Sequence, residues 1–314
     1  MAAISVGVDL GGTKVFGVAV DPESAQVVAT RRTSTPSSGA EIVSSIVQMV
    51  EELAGEAQRP LGSVGIGAAG LVDARGVLRF APNLPGVVDL DLAGAVGSRV
   101  EAPVAVDNDA TCSAVAEHRT GAARGTANAI VVALGTGIGG ALIMDGEVRR
   151  GANHMAGEFG HLLVDPDGPP CGCGNRGCWE QYASGSALGR LGRDAASSGR
   201  APSLLDRAEG RLDEIDGLAV TAAAVAGDQA AVAVLDDFAR WVAVGLAGLV
   251  NIVDPELVVM GGGLVRAGDL LLDPVRTHLD DLVMGAAYRP AVPVAPATAG
   301  DAAAAVGAAL LFAA

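Results

Sequence analysis

Two short apolar strands joined by a glycine turn open this chain, and the same device returns near its middle. Residues 4–10 (ISVGVDL) and 14–20 (KVFGVAV) are each of strand length. With so few residues between them they must pair as a hairpin. A Walker loop or a dinucleotide-binding fingerprint would instead place a helix after the glycines. The turn offers the amides of Gly11, Gly12 and Thr13 to an anion and leaves Asp9 at the strand end, facing a metal ion. One such hairpin is an ordinary turn. Residues 130–144 repeat it, with an apolar strand, the turn Gly135-Thr136-Gly137 and a glycine-rich second strand. The repeat implies a duplicated α/β domain, each half beginning with a phosphate-sized hairpin, and two facing halves would clamp a polyphosphate from both sides.

A second stretch concentrates the chemistry. Residues 157–181 read GEFGHLLVDPDGPPCGCGNRGCWEQ and hold Cys171, Cys173 and Cys178, three of the four cysteines. Three thiols cannot pair among themselves, and Cys112 lies far away in an Ala-rich segment. Disulfides are therefore a poor reading, whereas three thiolates and the imidazole of His161 complete the tetrahedral shell of a structural Zn²⁺. Gly172, Gly174 and Gly177 permit the tight turns that aim the sulfurs inward. Glu158 and Glu180 flank the ligands, so the knot reads as part of a substrate pocket.

The rest of the chain supplies the frame. Half of the residues are hydrophobic and only 3% are aromatic. A core of Ala, Val, Leu and Ile suits sheets covered by helices. Strands are expected at 26–33, 63–69, 103–106, 257–260 and 291–297. Helices are expected at 41–54, 92–100, 110–120, 228–253 and 274–282, with an Ala-rich closing helix. Residues 192–216 read as an exposed helical excursion, and residues 80–86 as a loop presenting Asn83. The strand at 103–106 delivers Asp107, Asn108 and Asp109 to the start of a helix, the place where α/β folds put ligands. One of the three is expected only to cap the helix. Asp109, in the first helical turn, is the candidate base toward a bound hydroxyl. Gly261, Gly262 and Gly263 form a third glycine turn, suited to a base or ribose close to the backbone. His118, His154 and His278 lack ligand spacing. A formal net charge of −15 at pH 7 argues against nucleic acid and anionic membranes as partners. With no leader pattern before the first strand and no apolar run of membrane length, the expected location is cytoplasmic.

In this order DLGGTK, DNDA, LGTGIGG, EFGH…CGCGNRGCWE and VMGGGL resemble the ROK family (repressors, open reading frames, sugar kinases). Within it the chain is similar to the group of ATP-dependent glucokinases whose zinc stretch ends CWEQYASG. The resemblance implies an actin-like, ribonuclease H-like ATPase fold of two domains flanking a cleft. These would be a small domain of residues 1–110 with 301–314 and a large one of residues 111–300. It implies phosphorylation of the 6-hydroxyl of glucose by ATP·Mg²⁺. Asp109 would be the general base, with Asn83, Asn108, Glu158, His161 and Glu180 on the other hydroxyls. Asp9 would orient Mg²⁺, and Gly11, Gly12, Thr13, Lys14, Gly135, Thr136 and Gly137 would hold phosphates. Gly261, Gly262 and Gly263 would flank the nucleoside, and His161 would divide its ring nitrogens between zinc and sugar. A homodimer or homotetramer is implied as well. Fructose, mannose or N-acetylglucosamine as acceptor, polyphosphate as donor, and a sugar sensor without catalysis are the alternatives. Against the last, the repressors' N-terminal DNA-binding module has no counterpart before the first strand. The chain departs from many relatives at Val87-Val88, where they carry Trp, and at GDAAAAVGAA near the end.

Overall fold

The computed structural model describes residues 2–84 and 86–312. The chain divides into two compact units. The first comprises Met1–Gly125, Ala141–Gly157 and Thr298–Ala314, and the second Thr126–Gly140 and Glu158–Ala297. Residues 111–125 and 141–157 thus group with the first unit, whereas the sequence reading assigns them to the large domain. The helix that starts at Asp109 takes residues 111–125 there, because it packs on the closing helix of the same unit.

The first unit is built on a five-stranded sheet, in the spatial order Val27–Ser34, Lys14–Val20, Ile4–Leu10, Leu61–Ala68, Val104–Asn108. The opening pair is the expected antiparallel hairpin, and Val27–Ser34 extends it antiparallel. Leu61–Ala68 and Val104–Asn108 join parallel. Buried on both faces, the central strands carry near-continuous apolar runs. One face is covered by the amphipathic helix Gly39–Ala57 through Ile42, Ile46, Met49, Val50 and Leu53. Ser38 caps that helix, accepting from the Glu41 amide at 3.3 Å while its hydroxyl donates to the Glu41 carboxylate at 2.8 Å.

The other face is covered by Asp109–Thr120 and Ala303–Ala309. Their approach is close enough that a Cβ at Gly7 or Gly65 would collide with the backbone of Ala305 or Ala308. Alanine in the closing helix is therefore a packing requirement as well as a helix former. Strands Leu71–Val72, Val77–Phe80 and Val88–Asp91 form a small antiparallel sheet that the sequence reading lacks. It is pinned by Arg79, which donates to Asp73 at 2.7 Å and to Asp89 at 2.8 Å. The expected helix 92–100 is only Leu92–Gly97, followed by a turn.

In the second unit, Ala129–Leu134, Leu257–Gly261 and Val294–Pro296 pair in parallel. Ile138–Met144 starts beside Ala129–Leu134 in this unit; its end, from Ala141 on, belongs to the first unit and pairs there with Glu147–Arg149. The helix Gln229–Val253 forms the spine of the core, burying among others Leu235, Phe238, Val242 and Leu246, and Asp228 caps it. Residues 192–216 are the expected, largely exposed run of short helices, anchored to the core by buried Ala195, Ala196, Ala201, Leu204 and Ile215. The helix expected from residue 274 begins at Asp269 and includes Pro274, since burial of Leu271 and Leu272 outweighs one missing hydrogen bond. No described helix is long and apolar enough to cross a membrane.

Candidate active site and metal centre

In the first unit, register places Asp9 beside Gly67 and Gly67 beside Asp107, at the carboxyl ends of three adjacent strands. Parallel strands expose their ligand-binding groups at that end. Gly67 contributes no side chain, and a Cβ there would lie 3.4 Å from the Cα of Asp109. Burial pushes the Asp9 carboxyl up to about 6; the negative charge of Asp109 adds to the shift and Lys14 opposes it. Burial likewise raises Asp109, although the Ala110 amide, donating to it at 2.9 Å, works the other way. Two buried carboxyls, one of them raised by the charge of the other, are a pair that a divalent cation would neutralise.

The three polar residues at the junction of the strand Val104–Asn108 and the helix Asp109–Thr120 have separate tasks. Asn108 caps the helix, accepting from the amides of Ala110 at 2.9 Å and Thr111 at 3.1 Å, and its Nδ2 donates to the Gly70 carbonyl at 3.2 Å. Asp107 is buried in an ion pair with Arg150. Asp109 Oδ1 accepts from the Ala110 amide at 2.9 Å, and a hydrogen bond from the Asn108 side chain also favours the ionised carboxylate. The turn of the first hairpin is closed by the Gly11 amide on the Lys14 carbonyl at 3.0 Å, and Thr35 donates to Gly11 at 2.6 Å. Gly12 abuts the loop between Val77–Phe80 and Val88–Asp91, where a Cβ would stand 2.6 Å from the carbonyl oxygen of exposed Asn83. Hairpin turn and loop are thus one surface. Pro85, within that loop, lies outside the described residues.

In the second unit the turn Gly135-Thr136-Gly137 is held from behind. The Gly185 amide donates to Gly135 at 2.8 Å, and the Ser186 hydroxyl donates to Thr136 at 3.0 Å. A cleft of about 350 Å³ opens here, lined by Gly135, Thr136, Ser186, Leu218, Gly263 and Leu264. Of the helix starts that complete it, the one at Ser184 is where the run QYASGSAL predicts it, whereas the one at Asp216 escaped the sequence reading, because a capping residue is all that marks it. Gly262 has φ of 91°, and a Cβ there would meet the Leu134 carbonyl. Gly262→Ala should therefore destabilise the protein by about 1–3 kcal/mol, read as a lowered unfolding temperature. An unchanged melting curve would refute this account of the turn.

The metal centre lies in the same unit. One ligand atom from each of His161, Cys171, Cys173 and Cys178 lies within 4.8 Å of the other three. The Cys173 and Cys178 sulfurs are 3.6 Å apart, and Cys171 Sγ is 3.7 Å from His161 Nδ1. A tetrahedron with zinc–sulfur bonds of about 2.3 Å has edges of roughly 3.7–3.8 Å, so the donor set fits zinc in both chemistry and size. Gly174 and Gly177 turn with positive φ as expected; Gly172 does not. With Nδ1 in the cluster, Nε2 of His161 points toward Glu158, 3.9 Å from its Oε2. Glu180 Oε1 lies 3.1 Å from Cys171 Sγ, and Glu180 Oε2 would be 2.7 Å from a Cβ on Gly137. The knot thereby touches the glycine turn. Trp179, fully buried between Cys178 and Glu180, anchors it by donating to the Trp241 carbonyl at 2.8 Å.

Residues 5–314 match the sequence pattern of the ROK family. The chain belongs to the ROK family. A glucokinase of Streptomyces coelicolor is 41% identical over 309 residues, covering 98% of this chain and 96% of that protein. A xylose repressor of Bacillus subtilis is 30% identical over 286 residues, covering 90% of this chain and 70% of that protein. The crystal structure of a ROK family glucokinase from Streptomyces griseus in complex with glucose and AMPPNP has a TM-score of 0.86, with 41% identity and 98% of both chains covered. This ROK chain thus has the two-domain actin-like ATPase fold.

Proposed function

We propose that this ROK protein is a glucokinase, transferring the γ-phosphoryl group of ATP to the 6-hydroxyl of glucose. The observation that carries the reading is the 41% identity to glucokinases over nearly the whole chain. Beside it stands the pair of acidic residues at the strand ends, Asp9 and Asp109.

Phosphoryl transfer asks the protein for positioning and charge neutralisation more than for covalent chemistry. Asp109 accepts the proton of the 6-hydroxyl as that oxygen bonds to the γ-phosphorus and the bond to the ADP oxygen breaks. Asn83, Asn108, Glu158, His161 and Glu180 are the proposed ligands of the other hydroxyls. The free Nε2 of His161 and the Nδ2 of Asn108 are donors suited to that task. Gly11, Gly12, Thr13 and Lys14, with Gly135, Thr136 and Gly137, would cradle phosphates, and Gly261, Gly262 and Gly263 the nucleoside. Asp9 would hold Mg²⁺, which spreads the phosphate charge. Zinc, held by His161, Cys171, Cys173 and Cys178, would be structural and supply a rigid tether. A homodimer or homotetramer in the cytoplasm completes the reading, and sedimentation tests the assembly.

The deciding experiment is a coupled assay of purified protein across acceptors and donors. Glucose should exceed fructose, mannose and N-acetylglucosamine in kcat/KM, and ATP should exceed polyphosphate. A preferred acceptor other than glucose would overturn the substrate assignment. Calorimetric sugar binding with no turnover on any donor would make the protein a sensor.

A further inference from the structure

We propose that Arg150 is a positioning residue for phosphoryl transfer, acting through Asp107 on the junction that carries Asn108 and Asp109. The inference rests on the kinase reading above. Arg150 Nε donates to Asp107 Oδ2 at 2.6 Å, and the other carboxylate oxygen, Oδ1, accepts from the Asn108 amide at 2.9 Å. One carboxylate thus joins a guanidinium to the peptide that begins the helix. Asn108 and Asp109 are otherwise held mostly by neighbours in the chain, through the caps on Ala110 and Thr111 and the single reach to Gly70. Arg150 comes from 43 residues away and adds a charged side-chain tie to the strand pairing with Leu61–Ala68 and the bond to Gly70.

The tie is rigid at both ends. Asp107 is only 6% exposed, so an unpaired charge there would be costly. Arg150 lies just past the strand Glu147–Arg149, its guanidinium also reaching the Val148 carbonyl at 3.4 Å. Its own carbonyl accepts the Ala156 amide at 3.0 Å, closing the loop over residues 150–156. Charge balance points the same way. Asp9, Asp107 and Asp109 crowd the strand ends, and with Lys14 near Asp9, Arg150 is the cation that neutralises the deepest of the three. No contact of Arg150 with Asn83, Asn108 or Asp109 is needed for the effect, which travels through the Asp107 carboxylate.

The test compares Arg150→Met, Arg150→Lys, Asp107→Asn and the double variant Asp107→Asn/Arg150→Met in full-length protein. Displacements on the order of 1 Å at a reacting group cost about 10²-fold in rate. Arg150→Met should accordingly lower kcat by about 10–100-fold and weaken calorimetric glucose affinity several-fold, with KM for ATP little changed. Arg150→Lys restores the charge without the guanidinium geometry and should fall between. The double variant should be no worse than the poorer single, because the pair acts as one unit. A purely stabilising role would lower the unfolding temperature and leave kcat and glucose affinity within twofold; that result overturns the proposal. So does a double variant whose losses multiply. If Arg150→Met does not fold, Arg150→Lys and Asp107→Asn carry the same readouts, and wild-type values in both would refute it. Absence of glucose turnover in the wild type would defeat the kinase reading instead, so the two failures are distinguishable.

Discussion

Asp109→Asn should lower kcat by about 10²–10⁴-fold, the usual worth of a general base, while glucose affinity falls far less. Asparagine keeps the volume and still accepts from the Ala110 amide, so the start of the helix survives. What is lost is the one oxygen able to take a proton. A coupled assay for kcat and calorimetry for glucose separate the two effects. Turnover within threefold of wild type would sink the assignment. The wild-type pH profile should carry the same signature. Burial raises Asp109 above its ordinary value, and the base must be ionised to work. Activity is therefore complete above the raised pKa and lost as pH falls through it. The acid limb of kcat/KM should lie above the ordinary carboxylate range and vanish from the residual activity of Asp109→Asn.

The parts of this molecule that were legible in its sequence are those written in short-range grammar. A glycine turn between two apolar strands can only be a hairpin, and both were found where expected. Soft ligands at close spacing announced the cluster of His161, Cys171, Cys173 and Cys178. The parts that escaped depend on distant partners. Strands of two to four residues, such as Leu71–Val72 and Val77–Phe80, are too short to show alternation. Their order comes from Arg79 bridging Asp73 and Asp89. Nothing near Arg150 points to Asp107. The Ala-rich end of the chain reads as a generic helix, yet its small side chains are what let it lie against Gly7 and Gly65. The polar triplet 107–109 was recognised as a group, and only the structure separated the cap from the ion pair.

Cys173→Ser should abolish glucose binding and release the metal from a protein that remains folded elsewhere. The position discriminates well because Cys173 is exposed, while Cys171 and Cys178 are buried. Exchanging sulfur for oxygen at a surface site ordinarily changes stability by less than about 0.5 kcal/mol. Any large effect must then come from the lost metal ligand, since small zinc sites bind with roughly 10–16 kcal/mol. Without the ion, the three remaining ligands His161, Cys171 and Cys178 are left packed with the adjacent Glu180. With no ion to tie His161 Nδ1 to the sulfurs, its Nε2 and the carboxylates of Glu158 and Glu180 lose their common frame. The helix Gly185–Ser197 and the Trp179 anchor on Trp241 do not depend on the ion and should persist, as circular dichroism would show. Elemental analysis should find about one zinc per chain in the wild type and none in the variant, with glucose heats lost in parallel. A zinc-free Cys173→Ser protein that binds glucose with wild-type affinity would detach the metal centre from the sugar site altogether.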